Sequence, residues 1–151
     1  MLKDVKKTRR IMGIVALVLW LASLALPAAH FATPGYEYVP GALVAVVGLV
    51  FGWILLQIGA YANLLFLPVI VVMLMGKRAW LALLILIETG ALWSFTWPAF
   101  PDDVHSNEVQ SFASGFYVWQ VALALPLLTR IWEFLVGRKD KLAANSLHGQ
   151  T

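Results

Sequence analysis

No cysteine occurs anywhere in the 151 residues. Disulfides, thiolate metal sites and redox dithiols are therefore excluded, and any segment exposed outside a cell has to be held by packing alone. Charge is scarce as well: Asp, Glu, Lys and Arg make up 13% of the chain, against 61% hydrophobic residues. So much apolar surface, gathered in uninterrupted blocks, cannot be hidden inside a soluble domain of this length. A third scarcity is positional. Two polar loops, residues 28–40 and 98–114, hold no Lys or Arg and carry only acids, Glu37 in the first and Asp102, Asp103 and Glu108 in the second.

The basic residues that do occur form three groups: Lys3, Lys6, Lys7, Arg9 and Arg10; Lys77 and Arg78; then Arg130, Arg138, Lys139 and Lys141. All of them fall on one side of a membrane if the chain crosses four times, and that side is the cytoplasm by the positive-inside rule. The net charge of +3 comes as short clusters flanking apolar spans, the pattern a cytoplasmic membrane surface selects, so no nucleic-acid partner is expected. The expected fold is an all-α integral membrane protein. It is a single domain over 1–151, a four-helix transmembrane bundle with spans at about 11–29, 60–75, 79–97 and 115–136, both termini cytoplasmic, and a disordered tail over 138–151. The first span reads as a retained signal anchor ended by Pro27. Trp93, Trp97, Tyr117 and Trp119 gather at the outer interface, where amphipathic rings are favoured.

Residues 41–75 carry almost no charge. A straight helix of that length would run about 52 Å, against a hydrocarbon core of about 30 Å, so it has to break. The break is legible at Gln57-Ile-Gly59-Ala-Tyr61-Ala-Asn63. If both halves cross, there are five spans, and Lys77, Arg78, Arg138, Lys139 and Lys141 land outside. If 41–58 is a re-entrant helix in the outer leaflet, every basic residue returns to the cytoplasm, and the charge distribution favours this arrangement. Gly41, Ala45, Gly48, Gly52 and Gly59 are spaced by 4, 3, 4 and 7 residues, which keeps them on one helix face and allows a close helix contact. That contact is either within the chain or between two copies of it.

The order Ser23-Leu-Ala-Leu-Pro27, Pro34-Gly35, the glycine-spaced stretch, Tyr61-Ala-Asn63, Gly76-Lys-Arg78 and Gly115-Phe-Tyr-Val-Trp119 resembles a family of small, uncharacterised bacterial inner-membrane proteins. The Asn-Pro usual there after the aromatic position is here Asn63-Leu64, with the proline delayed to Pro68. The resemblance implies a bacterial inner-membrane location and a broken second element, and brings no activity with it.

Glu88 lies ten residues after Arg78 and nine before Trp97, close to the middle of its span. A carboxylate at that depth costs about 2.5 to 3.5 kcal/mol, so it is expected to be protonated, hydrogen-bonded or facing water. Gln57, Asn63 and Gln120 are candidate partners in an intramembrane polar site with Glu88, which would relay protons, bind a polar ligand or simply link helices. Small multidrug transporters, which this chain resembles in size, use a membrane carboxylate in the first helix. Here residues 11–26 contain no acid. His30, Glu37, Asp102, Asp103, His105 and Glu108 are metal-binding types without metal-binding spacing, and no nucleophile elbow appears, so no metal, no cofactor and no catalytic residue is expected. Arg130 and Glu133 are three apart near the inner end, a spacing that permits an ion pair. The expected function is non-enzymatic. The chain would act by association, with other membrane protein subunits as an accessory subunit or with itself as a homo-oligomer, an immunity or defence protein being one form of this; the alternative is a small transporter or channel using Glu88.

Overall fold

Aliphatic stretches with few helix breakers build five α-helices among the described residues, which are 2–31, 38–52, 58–96, 99–101 and 106–148 in this computed structural model. The first, α1 (Leu2–Ala25), has 24 residues, a length of about 36 Å. It stops where Leu26 precedes Pro27, because the proline ring disfavours helical backbone in the residue before it. Helix α2 (Gly41–Phe51) follows a short excursion, then a 3-10 turn (Ile58–Tyr61) leads into α3 (Ala62–Leu74). The chain turns at Gly76, whose φ of 72° lies in the left-handed region where a side chain is strained. Helix α4 (Leu81–Trp93) runs back and ends in a second 3-10 turn, Ser94–Thr96. The last helix, α5 (Ser114–His148), has 35 residues and contains Pro126.

Helices α1, α3, α4 and α5 pack around one core, with α1 touching α3 and α5, and α4 touching α3 and α5. Phe66, Val69, Leu84, Ile87 and Leu123 fill that core, with Ala16, Ala62 and Ala91 allowing the helices to close on it. The helix ends sort themselves by charge. At one end the first turns of α1, the turn at Gly76 and the Glu133 region of α5 meet, bringing Lys6, Arg9, Arg10, Arg78 and Arg130 together.

The other end carries a four-stranded antiparallel sheet in the order β2-β1-β4-β3. Strands β1 (Pro27–Phe31) and β2 (Val39–Pro40) come from the first polar loop, β3 (Ala99–Pro101) and β4 (Ser106–Phe112) from the second. Pairing of β1 with β4 places Ala29 opposite Phe112 and His30 opposite Ser111, with a bulge before Phe31 meets Val109. A backbone bond from Ala113 N to Ala28 O, 2.9 Å, continues that pairing into the start of α5. Two loops without cysteine are thus tied to each other by a backbone ladder.

Three expectations need correction. The fold is mostly helical but not all-α, because both polar loops contribute strands. Residues 27–29, expected to finish the first span, are strand rather than helix, since Pro27 ends the helix at Ala25, four residues early, and Pro27 and Ala29 then pair with β2. The region from 138 to 148, expected to be a disordered tail, continues the backbone of α5. Gln57, Glu37, Asp102, Asp103 and His105 lie outside the described residues.

Candidate functional site

The glycine stripe, which runs from α2 through Gly52 to the 3-10 turn at Gly59, faces the chain itself. Gly48, Gly52 and Gly59 are buried, and Gly41 and Ala45 are half-buried. A Cβ on Gly41 would collide with Ser23 O and come within 3.3 Å of Leu24 Cα, and the Gly41 amide donates to Leu26 O at 2.9 Å. A Cβ on Gly59 would collide with Ser94 Oγ and lie 2.7 Å from Gly90 O. The stripe therefore begins against the sheet end of α1 and finishes against the sheet end of α4.

Asn63, the second residue of α3, is the hub of the interior polar groups. Its Oδ1 accepts from two indoles, Trp20 Nε1 at 2.8 Å and Trp119 Nε1 at 2.7 Å, while its Nδ2 donates to Ala60 O at 3.0 Å. One amide so ties α1, α3 and α5 to the turn before α3. Beside it a small cavity of about 50 Å³ is lined by Ser23, Ala28, Ala45, Asn63, Ser94 and Trp119, among others. This is room for one or two waters, not for an organic ligand. Stacking of Phe112 on Phe116 at 4.0 Å, with Phe95 edge-on to both, closes the sheet end beside it.

Glu88 stands at the border of the buried face of α4 formed by Leu84, Ile87 and Ala91. Its Oε1 is enclosed and has no hydrogen-bond partner. The polar groups expected around it are engaged elsewhere: Asn63 with the two tryptophans, and Gln120 Nε2 with Ala91 O at 2.7 Å. Neighbouring Thr89 bonds its own helix, Oγ1 to Ile85 O at 2.9 Å. Glu88, Asn63 and Gln120 are thus on three helices of one core without a direct link between them.

The densest ionic arrangement is at the opposite end from the sheet. Glu133, 8% exposed, receives Arg9 in a two-pronged contact, Nε to Oε1 and Nη2 to Oε2 at 3.0 Å. Arg9, also 8% exposed, spends its remaining nitrogen on Gly76 O at 2.9 Å. Glu133 Oε2 further meets Arg130 Nη1 at 3.3 Å and Arg78 Nε at 3.5 Å. The i,i+3 ion pair expected between Arg130 and Glu133 is present. What spacing could not reveal is that Arg9, 124 residues away, is the closest partner of that carboxylate. Its only signal was the rarity of an acid within the apolar stretch of α5.

Among the described residues no group of three metal-ligating side chains is assembled. Two helical segments, Asp4–Ala25 and Ser114–Arg138, are long and apolar enough to cross a membrane, and only 22% and 28% of their apolar windows are buried by the rest of the chain. Comparison of the chain with family models, with curated proteins and with solved structures finds no match.

Proposed function

We propose that this chain is a non-enzymatic, multi-pass protein of the bacterial inner membrane that works by association, as an accessory subunit of a larger membrane complex or as a homo-oligomer. The observation that carries this reading is the contrast between an interior whose polar groups, Glu88 apart, are spent and an unspent exterior. Inside, Asn63, Trp20, Trp119, Gln120, Arg9 and Glu133 are all engaged with one another or with backbone. Outside, α1 and α5 leave most of their apolar surface uncovered, and large side chains such as Val18, Leu21, Val121 and Leu135 are exposed. In water such a surface would aggregate; lipid or a neighbouring protein has to cover it.

The topology follows the charges. The sheet lies in the periplasm, the Arg9–Glu133 end lies at the cytoplasmic face, α1, α3, α4 and α5 cross, and α2 enters and leaves on the periplasmic side. Support for the last point comes from Gly41 and Gly59, which both sit against sheet-end residues, Ser23 on α1 and Ser94 after α4. The glycine stripe serves this internal packing, so association uses other surfaces. A photo-crosslinking residue at Val46 or Val50, exposed on α2, or at Val121 on α5, is expected to capture a protein partner in cells. Failure of all three positions to crosslink, together with a monomer in mild detergent, would remove this reading.

One observation favours a second reading, a transporter or channel using Glu88: the enclosed, unpartnered Oε1 is what a proton-carrying carboxyl would leave between turnovers. In reconstituted vesicles Glu88→Gln would then abolish proton-coupled flux while leaving insertion and melting unchanged. A variant that melts normally in vesicles that show no flux even with the parent chain would dismiss it.

A further inference from the structure

Three guanidinium groups, those of Arg9, Arg78 and Arg130, meet the carboxylate of Glu133 at the charged end, and a fourth arginine, Arg138, lines the recess beside them. Four positive charges less one negative leaves three. Arg9 is used up by Glu133 and Gly76 O, but Arg78 and Arg130 share a single oxygen at 3.5 and 3.3 Å, and Arg138 makes no ion pair among the described residues. Most of their N–H donors remain open. They open into a recess of about 520 Å³ bounded by Arg78, Arg130, Glu133, Phe134, Gly137 and Arg138. Gly137 leaves it room: a Cβ built there meets nothing within 4 Å.

A second, apolar groove of about 120 Å³ lies on the other side of Arg78, between α3 and α4, lined by Pro68, Val69, Val72, Trp80 and Leu83. Trp80 is 82% exposed and Phe134 65%. We propose that the recess and the groove together form a binding site for an anionic phospholipid, its phosphate held by Arg78, Arg130 and Arg138 and an acyl chain laid along Val72 and Leu83. This rests on the membrane reading above.

The chemistry favours phosphate over carboxylate. A guanidinium fork matches two phosphate oxygens, and a phosphodiester keeps its charge at any physiological pH. The nearest carboxylate, Glu133, is already satisfied by Arg9. Lipid is favoured over a soluble phosphate because the site has an apolar half continuous with its basic half, the arrangement of basic pockets between helices on the cytoplasmic side. A soluble anion would use only the recess and leave Trp80 and the groove unexplained.

The test uses the full chain in a neutral detergent and compares phosphatidylglycerol with phosphatidylcholine of the same acyl chains, reading the apparent Kd for each by native mass spectrometry. Phosphatidylglycerol is expected to bind more tightly. Arg78→Gln and Arg138→Gln should each cost it about fivefold, the effect of one basic residue near a lipid surface, while Lys7→Gln, which removes a charge of the same end outside the recess, should leave the preference intact. Gly137→Leu fills the recess where there is space for it, and should abolish the preference without lowering the melting temperature. That variant separates lipid loss from misfolding. Equal affinity for the two lipids, or a preference indifferent to Gly137→Leu, would overturn the proposal. Displacement of phosphatidylglycerol by millimolar inorganic phosphate alone would reassign the recess to a soluble anion and overturn the lipid assignment. Recovery of the chain from the soluble fraction of cells would instead strike at the membrane reading itself, whereas a membrane-bound chain without lipid preference refutes this site only.

Discussion

Removing the carboxylate of Glu133 would leave Arg9 buried with its guanidinium facing two other cations. An uncompensated buried charge of this kind costs about 3 to 5 kcal/mol, far more than a surface ion pair is worth. We expect Glu133→Ala to lower stability by an amount in that range in detergent denaturation, and Arg9→Met to restore part of it in the double variant. A double-variant loss equal to the sum of the two single losses would mean that the pair is not coupled. At this scale some of the interior was legible and some was not. Arg130 and Glu133 are neighbours on one helix, so their spacing announced the contact. The partners of Asn63 could not be read the same way, because Trp20 and Trp119 are 43 and 56 residues distant and an indole near a helix end reads equally well as an interfacial anchor. Glu88 was identified from its depth alone, and depth says nothing about which way Oε1 points.

Helices were the readable elements, since long apolar runs need no partner to declare themselves. Strands were not. β2 has two residues and β3 three, β1 begins with proline, and β4, Ser-Asn-Glu-Val-Gln-Ser-Phe, has no apolar alternation to mark a face. Their pairing depends on the helices bringing two loops side by side. That pairing is testable in a chain without native thiols: His30→Cys with Ser111→Cys places two cysteines opposite each other. Paired positions stand about 4.5 to 5.5 Å apart between Cα atoms, within disulfide range. A disulfide should form in cells, seen as a reductant-sensitive shift on a gel, while His30→Cys with Lys77→Cys should form none. Packing of α2 gives a second expectation. Gly59→Ala, which drives a methyl into Ser94 and Gly90 O, should lower the melting temperature by several degrees. Gly137→Ala in the open part of α5 should leave it unchanged or raise it, because alanine is the better helix former by about 1 kcal/mol. Similar losses at both positions would argue that the close approach at Gly59 is absent.

For the whole molecule, the distribution of basic residues marked which helix ends lie together better than any local propensity did. Lys77 and Arg78 fall at the end that also holds Arg9, and the sheet gathers the loops that lack basic residues. Single cysteines make this measurable in intact cells with an impermeant thiol reagent. Tyr38→Cys and Gln110→Cys, both at exposed positions of the sheet end, should label, and Lys77→Cys and Arg138→Cys should label only after the membrane is opened. Labelling of Lys77→Cys and Arg138→Cys but not of Gln110→Cys in intact cells would establish five crossings. The contact of Arg9 with Glu133 also has a temporal side. Among the described elements α1 precedes the other helices, yet its principal neighbour is α5, which follows all of them. Until α5 arrives, Arg9 lacks its carboxylate, whereas β4, which covers the edge of β1, precedes α5 in the chain, so a nascent chain halted before Ser114 carries one mark of incompleteness. Arrival of α5 supplies that carboxylate, and the buried ion pair distinguishes a chain that has docked α5 from one that has not.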